Sequence, residues 1–229
     1  CSRACAFCQV NKGKPSEINH LESKKVAQAV KYLNLKYVVL TSVARDDLID
    51  HGAILFTSTI DEIRKIDPSI KIEVLTPDLW GGGKNLQERE FLQKQRLKLI
   101  LDKKPICFNH NLETVERLQR EVRRGANYKS SLNLLKIAKN IYPNIETKSG
   151  IMIGLGENLE EIKNTIIDLK KVDCNQITIG QYLRPSLNHL PVKKYWEPKE
   201  FEYIEKFSKH IGFNKVSCGP LIRSSYHAG

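Results

Sequence analysis

Lys148-Ser149-Gly150-Ile151-Met152-Ile153-Gly154-Leu155 is a short, largely apolar run that ends among glycines. A strand covered on one face alternates apolar and polar residues, whereas one buried on both faces reads as a nearly continuous apolar run. Four further runs share this character: residues 36–43 (KYVVLTSV), 70–77 (IKIEVLTP), 105–109 (PICFN) and 176–183 (QITIGQYL). Around them, apolar residues recur at three- and four-residue spacings over 22–33, 53–66, 86–101, 130–141, 159–172 and 198–211, which predicts helices. Pro198 suits the first turn of the last helix, with Glu200 close behind. Strand–helix alternation implies right-handed βαβ units, so the fold class is α/β. Five strands with outer helices fit either an open doubly wound sheet or part of a β/α barrel.

The 229 residues suffice for one substantial core. Hydrophobic residues at 41% and charged residues at 28% describe an ordinary globular chain. No apolar stretch is long enough to span a bilayer, and no signal peptide is present. The chain starts on a cysteine instead of methionine, so it is expected to be a fragment with upstream sequence lost. Thirty-seven basic against 26 acidic side chains give a formal charge of +11, which attracts polyanions. The lysines are scattered along helical segments, the pattern of solvated faces. Cys107, Cys174 and Cys218 are isolated, which fits free thiols in a reducing compartment without a chemical role.

Ligands of such folds sit at the carboxyl ends of the strands. The polar residues there are Arg45-Asp46-Asp47, Asp78, Asn109-His110-Asn111, Gly154 to Glu157, and Gln181 with Arg184. His110 reads as a structural hydrogen-bonder before a catalyst. Trp80-Gly81-Gly82-Gly83-Lys84-Asn85 is a flexible turn, because the Walker spacing and its Ser/Thr are absent.

The chain opens on Cys1-Ser2-Arg3-Ala4-Cys5-Ala6-Phe7-Cys8, a C-x3-C-x2-C spacing. Three thiolates so close can grip three corners of one iron–sulfur cube and leave the fourth iron open to a small molecule. A structural zinc site with His20 is the alternative, although the second ligand pair that usually closes such sites is missing. A disulfide is weaker still. Phe7, just before the third cysteine, can stack on a flat ring or simply pack.

Seven segments, in order, resemble the lipoyl synthase family of radical S-adenosylmethionine (SAM) enzymes across nearly the whole chain. They are CSRACAFC; Thr41-Ser42-Val43 with Arg45-Asp46-Asp47-Leu48; IEVLTPD (72–78); FNHNLETV (108–115); TKSGIMIGLGE (147–157); GQYLRPS (180–186) with HLPV (189–192); and CGP (218–220) with RSSYHA (223–228). The resemblance implies a single radical SAM core domain over 1–229, with a cluster loop at 1–14 and a C-terminal segment at 214–229. Its fold would be a partial (β/α)6 TIM-like barrel whose first strand lies before Cys1, missing from this chain. Cys1, Cys5 and Cys8 would hold the catalytic [4Fe-4S] cluster. Cofactor contacts would come from Phe7, Thr41, Ser42, Glu73, Asn109, Asn111, Lys148, Gly154, Gly156, Gln181 and Arg184. The activity would be SAM-dependent insertion of two sulfur atoms at C6 and C8 of an octanoyl chain on a carrier-protein lysine.

The resemblance also implies a second, auxiliary [4Fe-4S] cluster, with three cysteines upstream and a serine ligand, Ser225 or its neighbour Ser224. This chain is therefore expected to carry one cluster and not to complete sulfur insertion by itself. Implied partners are an octanoylated lipoyl carrier (an E2 lipoyl domain or the glycine cleavage H protein) and a ferredoxin- or flavodoxin-type reductant, without membrane or nucleic acid. The location would be cytoplasmic in a bacterium, plastid or mitochondrion in a eukaryote. Ala44 stands where the family usually has aspartate, and His51 where glycine is usual. Residues 79–104 read as an insertion in preference to a carrier-docking surface. Competing readings are a biotin synthase or tRNA methylthiotransferase relative, and a zinc-containing basic nucleic-acid-binding module.

Overall fold

The computed structural model describes residues 1–225. Six strands form one sheet: β1 (Tyr37–Thr41), β2 (Lys71–Leu75), β3 (Cys107–Asn109), β4 (Glu146–Ile153), β5 (Gln176–Gln181) and β6 (Lys215–Gly219). Every neighbouring pair is parallel and the spatial order equals the chain order, which is barrel winding and not a doubly wound sheet. Among the described residues β1 and β6 do not pair, so the barrel is open.

The five strands expected from the sequence are all present, and β6 is a sixth. Its sequence, KVSCG, has no apolar run, and its residues are mostly half-buried, so burial left no signature there. The helices are α1 (Glu22–Tyr32), α2 (Ala53–Ile66), α3 (Leu86–Leu101), the short α4 (Gln119–Val122), α5 (Tyr128–Ile141), α6 (Leu159–Lys171) and α7 (Pro198–His210). The insertion expected at 79–104 is instead mostly α3, a regular barrel helix that packs against α2 and α5. It buries Leu97, Ile100 and Leu101, and the Asn85 side chain caps it by accepting from the Glu88 amide at 2.9 Å. A capping box of Asn158 with Glu161 starts α6, and Pro198 starts α7 as expected.

The core lies between sheet and helices. Ile72 and Val74 of β2 and Ile60 and Ile63 of α2 belong to one cluster of fully buried aliphatics, each stabilising by about 1.5–3 kcal/mol. Most lysines behave as solvated faces. Lys65, Lys98, Lys163, Lys171 and Lys209 pair with acids three or four residues away. Such exposed pairs are screened by water and contribute little to stability.

Candidate active site

Cys1, Cys5 and Cys8 are free, half-buried thiols on the wall of one cavity of about 210 Å³ at the carboxyl ends of β1, β2 and β3. Phe7, Thr41, Ser42, Asp78, Asn111, Glu113 and Arg123 share that wall. His20 is exposed and does not line it.

The cysteine loop is seated by backbone and by charge. The Ser2 amide donates to Ala44 O at 3.2 Å and the Ala6 amide to Val122 O at 2.9 Å. Arg3 grips two carboxylates from two strand ends. Its Nε and Nη2 donate to Asp46 at 3.0 and 2.8 Å, and its Nη1 and Nη2 to Asp78 at 2.7 and 2.6 Å. Burial opposes the charge on Arg3, but the bonds to Asp46 and Asp78 outweigh it and raise its pKa. Burial likewise opposes the charge on Asp78, and Arg3 wins, holding that carboxyl below the usual range. His51, where the family usually has glycine, is buried at a φ of 52° beside Asp46, with Nδ1 3.5 Å from Asp46 Oδ1. Burial and then the Arg96 charge lower its pKa. Ala44 fills the aspartate position as a small buried wall residue whose carbonyl receives Ser2.

Three residues expected to touch a cofactor bind one another outside the cavity lining, leaving only Asn109 Oδ1 of their polar atoms without a partner among the described residues. Glu73 accepts from the Lys148 ammonium at 3.1 Å, from Asn109 Nδ2 at 2.8 Å and from the Tyr37 hydroxyl at 2.8 Å. Glu73 and Lys148 side chains are 1% and 4% exposed, and neither they nor Asn109 line the cavity. Their role is a polar floor. Burial, then the bond to Glu73, pushes the Tyr37 hydroxyl's pKa up.

Gly154, Gly156, Gln181 and Arg184 also fall outside the cavity. Gly154 sits at φ 109°, and a Cβ there would strike Gln181 Nε2 and the Lys194 carbonyl. Gln181 donates to Lys194 O at 3.0 Å and accepts from the Trp196 amide at 3.0 Å, so its amide anchors the following loop. Arg184 donates to the carbonyls of His189 and Leu187. This folds residues 184–190 over the cysteine loop, where His189 Nε2 donates to Cys8 O at 3.1 Å and the Leu190 amide to Ala6 O at 3.3 Å. His110 is structural, as expected: its ring meets Thr76 O at 2.8 Å and Ser131 Oγ at 2.9 Å, and burial lowers its pKa to about 4.

The C-terminal segment reaches the same mouth. A Cβ on Gly180 would collide with the Ile222 carbonyl, so the glycine lets this segment lie directly on β5. Ser224 Oγ accepts from Asn111 Nδ2 at 3.0 Å, whereas Ser225 is exposed. Tyr226 and His227 of the RSSYHA motif lie outside the described residues.

Sequence reasoning missed Arg3 and Arg123. Arg3 was legible as a lone cation inside the cysteine run, but its carboxylate partners are 43 and 75 residues away. Burial, followed by the Cys8 and Glu113 charges, raises the Cys5 thiol, and Arg123 and Arg3 act against that rise.

The donor chemistry suits an iron–sulfur cluster with an organic ligand, whose irons are spread over several corners. Among the described residues no three His, Cys, Asp or Glu side chains are gathered for a single metal ion. Three thiols of one loop face one cavity, with an aromatic ring beside them. Two buried acceptors on the wall, Asn111 Oδ1 and Thr76 Oγ1, have no hydrogen-bond partner among the described residues. Leaving each unpaired costs about 1–3 kcal/mol, which a ligand bearing amino or hydroxyl groups would relieve.

A profile of the Radical SAM superfamily matches residues 1–169. Lipoyl synthase 2 of Prochlorococcus marinus subsp. pastoris is 77% identical over 229 residues, covering 100% of this chain and 77% of that protein. The lipoyl synthase of Actinobacillus pleuropneumoniae is 48% identical over 228 residues, covering 100% of this chain and 66% of that one. Among solved structures, methylornithine synthase superposes with a TM-score of 0.63 at 15% identity, covering 95% of this chain and 68% of the other. Streptococcus suis SuiB bound to S-adenosylmethionine superposes with a TM-score of 0.65 at 13% identity, covering 98% and 49%. At those identities the structural likeness establishes the fold alone.

Proposed function

Because the chain belongs to the lipoyl synthases of the radical SAM superfamily, we propose that Cys1, Cys5 and Cys8 are the ligands of its SAM-binding [4Fe-4S] cluster. The family's activity is SAM-dependent insertion of two sulfur atoms at C6 and C8 of a protein-bound octanoyl chain. That assignment displaces the zinc and nucleic-acid readings. When bound, cluster and SAM supply the one-electron reduction and hydrogen-atom abstraction that an unactivated C–H bond demands.

The chain's own residues bind, orient and exclude. Arg3, Asp46 and Asp78 fix the cysteine loop against the ends of β1 and β2, and the 184–190 loop presses on it from the other side. Phe7 offers a ring face to a planar group. Thr41, Ser42 and Asn111 offer polar contacts, with the free Asn111 carbonyl oxygen ready to accept. Leu75, Pro77 and Val10 make the wall apolar, which limits water beside the thiols. The single observation that carries this reading is the convergence of all three cysteines of one loop on one cavity at the strand ends.

For the auxiliary cluster, Ser225 and Ser224 are the two candidates. The contact between Ser224 and Asn111 favours Ser224 for a group facing this mouth. The partner is an octanoylated carrier, and a ferredoxin or flavodoxin is the proposed reductant. Among the described residues no helix is long and apolar enough to cross a membrane. A cytoplasmic setting is part of the same proposal, resting on six free thiols.

The test is anaerobic reconstitution followed by iron and sulfide analysis of the wild type and of a variant with Cys1, Cys5 and Cys8 all replaced by alanine. The wild type should acquire a cluster and form 5′-deoxyadenosine with dithionite, and the variant should do neither. Equal iron in both would refute the assignment.

A further inference from the structure

Arg123 is buried on the wall of the cysteine cavity, in the turn that follows α4. Its hydrogen bonds run to Leu112 O at 3.2 Å, Gln119 Oε1 at 3.4 Å and Ser131 Oγ at 3.1 Å, all neutral atoms. No carboxylate forms a salt bridge with it among the described residues, unlike Arg3, which holds two. A buried guanidinium without a direct ion pair is costly, by several kcal/mol in real interiors. The turn that carries it is also the seat of the cysteine loop. Ala6 donates to Val122 O at 2.9 Å, and a Cβ on Gly125 would touch Arg3 Cδ at 3.6 Å. The fold thus places a cation that makes no direct ion pair on the wall that Cys5 also lines. Glu113 and Asp78 share this wall and act on Arg123 through space without touching it, while Arg3 is divided between Asp46 and Asp78.

We propose that Arg123 is the counter-cation of the anionic thiolate-bound cluster on Cys1, Cys5 and Cys8, and so a positioning residue that sets its reduction potential. This rests on the cluster assignment above. Three thiolates more than cancel the charge of an oxidised cubane core, and reduction adds one further negative charge. A nearby fixed cation therefore stabilises the reduced form more than the oxidised one, since net charge and surroundings set such potentials.

The test is a redox titration of the reconstituted chain without SAM, followed by electron paramagnetic resonance, on the wild type, Arg123→Gln, Arg123→Lys and Ser131→Asp. The aspartate would place a carboxylate where Arg123 now meets a hydroxyl, cancelling the charge while keeping the arginine. At the wild-type midpoint, the reduced-to-oxidised ratio should fall about tenfold in Arg123→Gln, equivalent to about 59 mV for a one-electron couple. It should fall in the same direction in Ser131→Asp and stay within about twofold in Arg123→Lys. Should Arg123→Gln not fold, Ser131→Asp decides. An unchanged ratio in whichever of these two assembles the cluster overturns the proposal. So does a fall in Arg123→Lys as large as in Arg123→Gln, which would mark a steric role, or a loss of SAM affinity at constant potential. If the wild type itself assembles no cluster, the cluster assignment fails first and takes this inference with it.

Discussion

Replacing Arg3 by alanine should destabilise the apoprotein mainly through Asp78. The Arg3 side chain is 9% exposed and that of Asp78 fully buried, whereas Asp46 is 33% exposed. The Asp46 arm is screened by water and is worth about 0–1 kcal/mol. The Asp78 arm is different, because the variant leaves a buried carboxylate without its cation, which costs about 3–5 kcal/mol. Protonation offers the variant a way out, and this fixes the sign of the pH dependence. In the wild type the Asp78 pKa is depressed, so its contribution is present above the unfolded value of about 3.9 and is lost as pH falls below it. In Arg3→Ala burial becomes the largest influence on Asp78, opposed by His110, Arg123 and the Trp80 amide, and raises its pKa relative to wild type. Acidification then neutralises it and relieves the penalty. The deficit against wild type should therefore be largest near neutrality and shrink toward about pH 4. Urea denaturation under reducing conditions at several pH values, with constant m, measures this. A neutral-pH deficit below about 1 kcal/mol, or one that ignores pH, would refute the reasoning.

The polar floor should behave as a coupled pair. Lys148→Met or Glu73→Gln alone should cost about 3–5 kcal/mol in a denaturant titration, and the double variant distinctly less than the sum; strict additivity would mean the pair is not coupled. Gly180→Ala should push the Ile222 carbonyl off β5 and free the C-terminal segment. Trypsin should then cut at Arg223 faster than in wild type, and an unchanged rate would remove Gly180 from that role. The +11 charge should steer an acidic carrier domain, so the association rate should fall as salt rises from low to physiological concentration. A rate indifferent to salt would leave the surplus as a solvated surface.

The α/β class was legible because the strands wrote their burial into runs such as SGIMI, although β1 is buried at only two of its five positions. The runs left barrel and doubly wound sheet equally open, and the barrel came only with the family resemblance. Six of the seven α-helices were legible from their apolar spacings. β6 was not, since Lys215, Ser217 and Gly219 leave no apolar run, and α4 is too short to establish a period. The cysteine loop was legible as a local spacing, and the structure brings Phe7, Thr41, Ser42 and Asn111 to it. Glu73, Asn109, Lys148, Gln181 and Arg184 look equally functional in sequence, yet Lys148 and Asn109 bond to Glu73 far along the chain, and Gln181 and Arg184 hold nearby loop carbonyls. Glu73 meets Lys148 across 75 residues, and pairings of that kind leave no periodic trace. The roles of Arg3 and Arg123 were invisible for the same reason, since they depend on Asp46, Asp78 and a turn that closes only in three dimensions.

The central claim is that three cysteines of this chain leave one iron for SAM to occupy. Electron–nuclear double resonance of the reduced, reconstituted protein with SAM isotopically labelled in its amino nitrogen and carboxylate tests it directly. The account predicts that both labelled groups couple to the cluster. Absence of any coupling from saturating SAM, with the cluster intact, would contradict it.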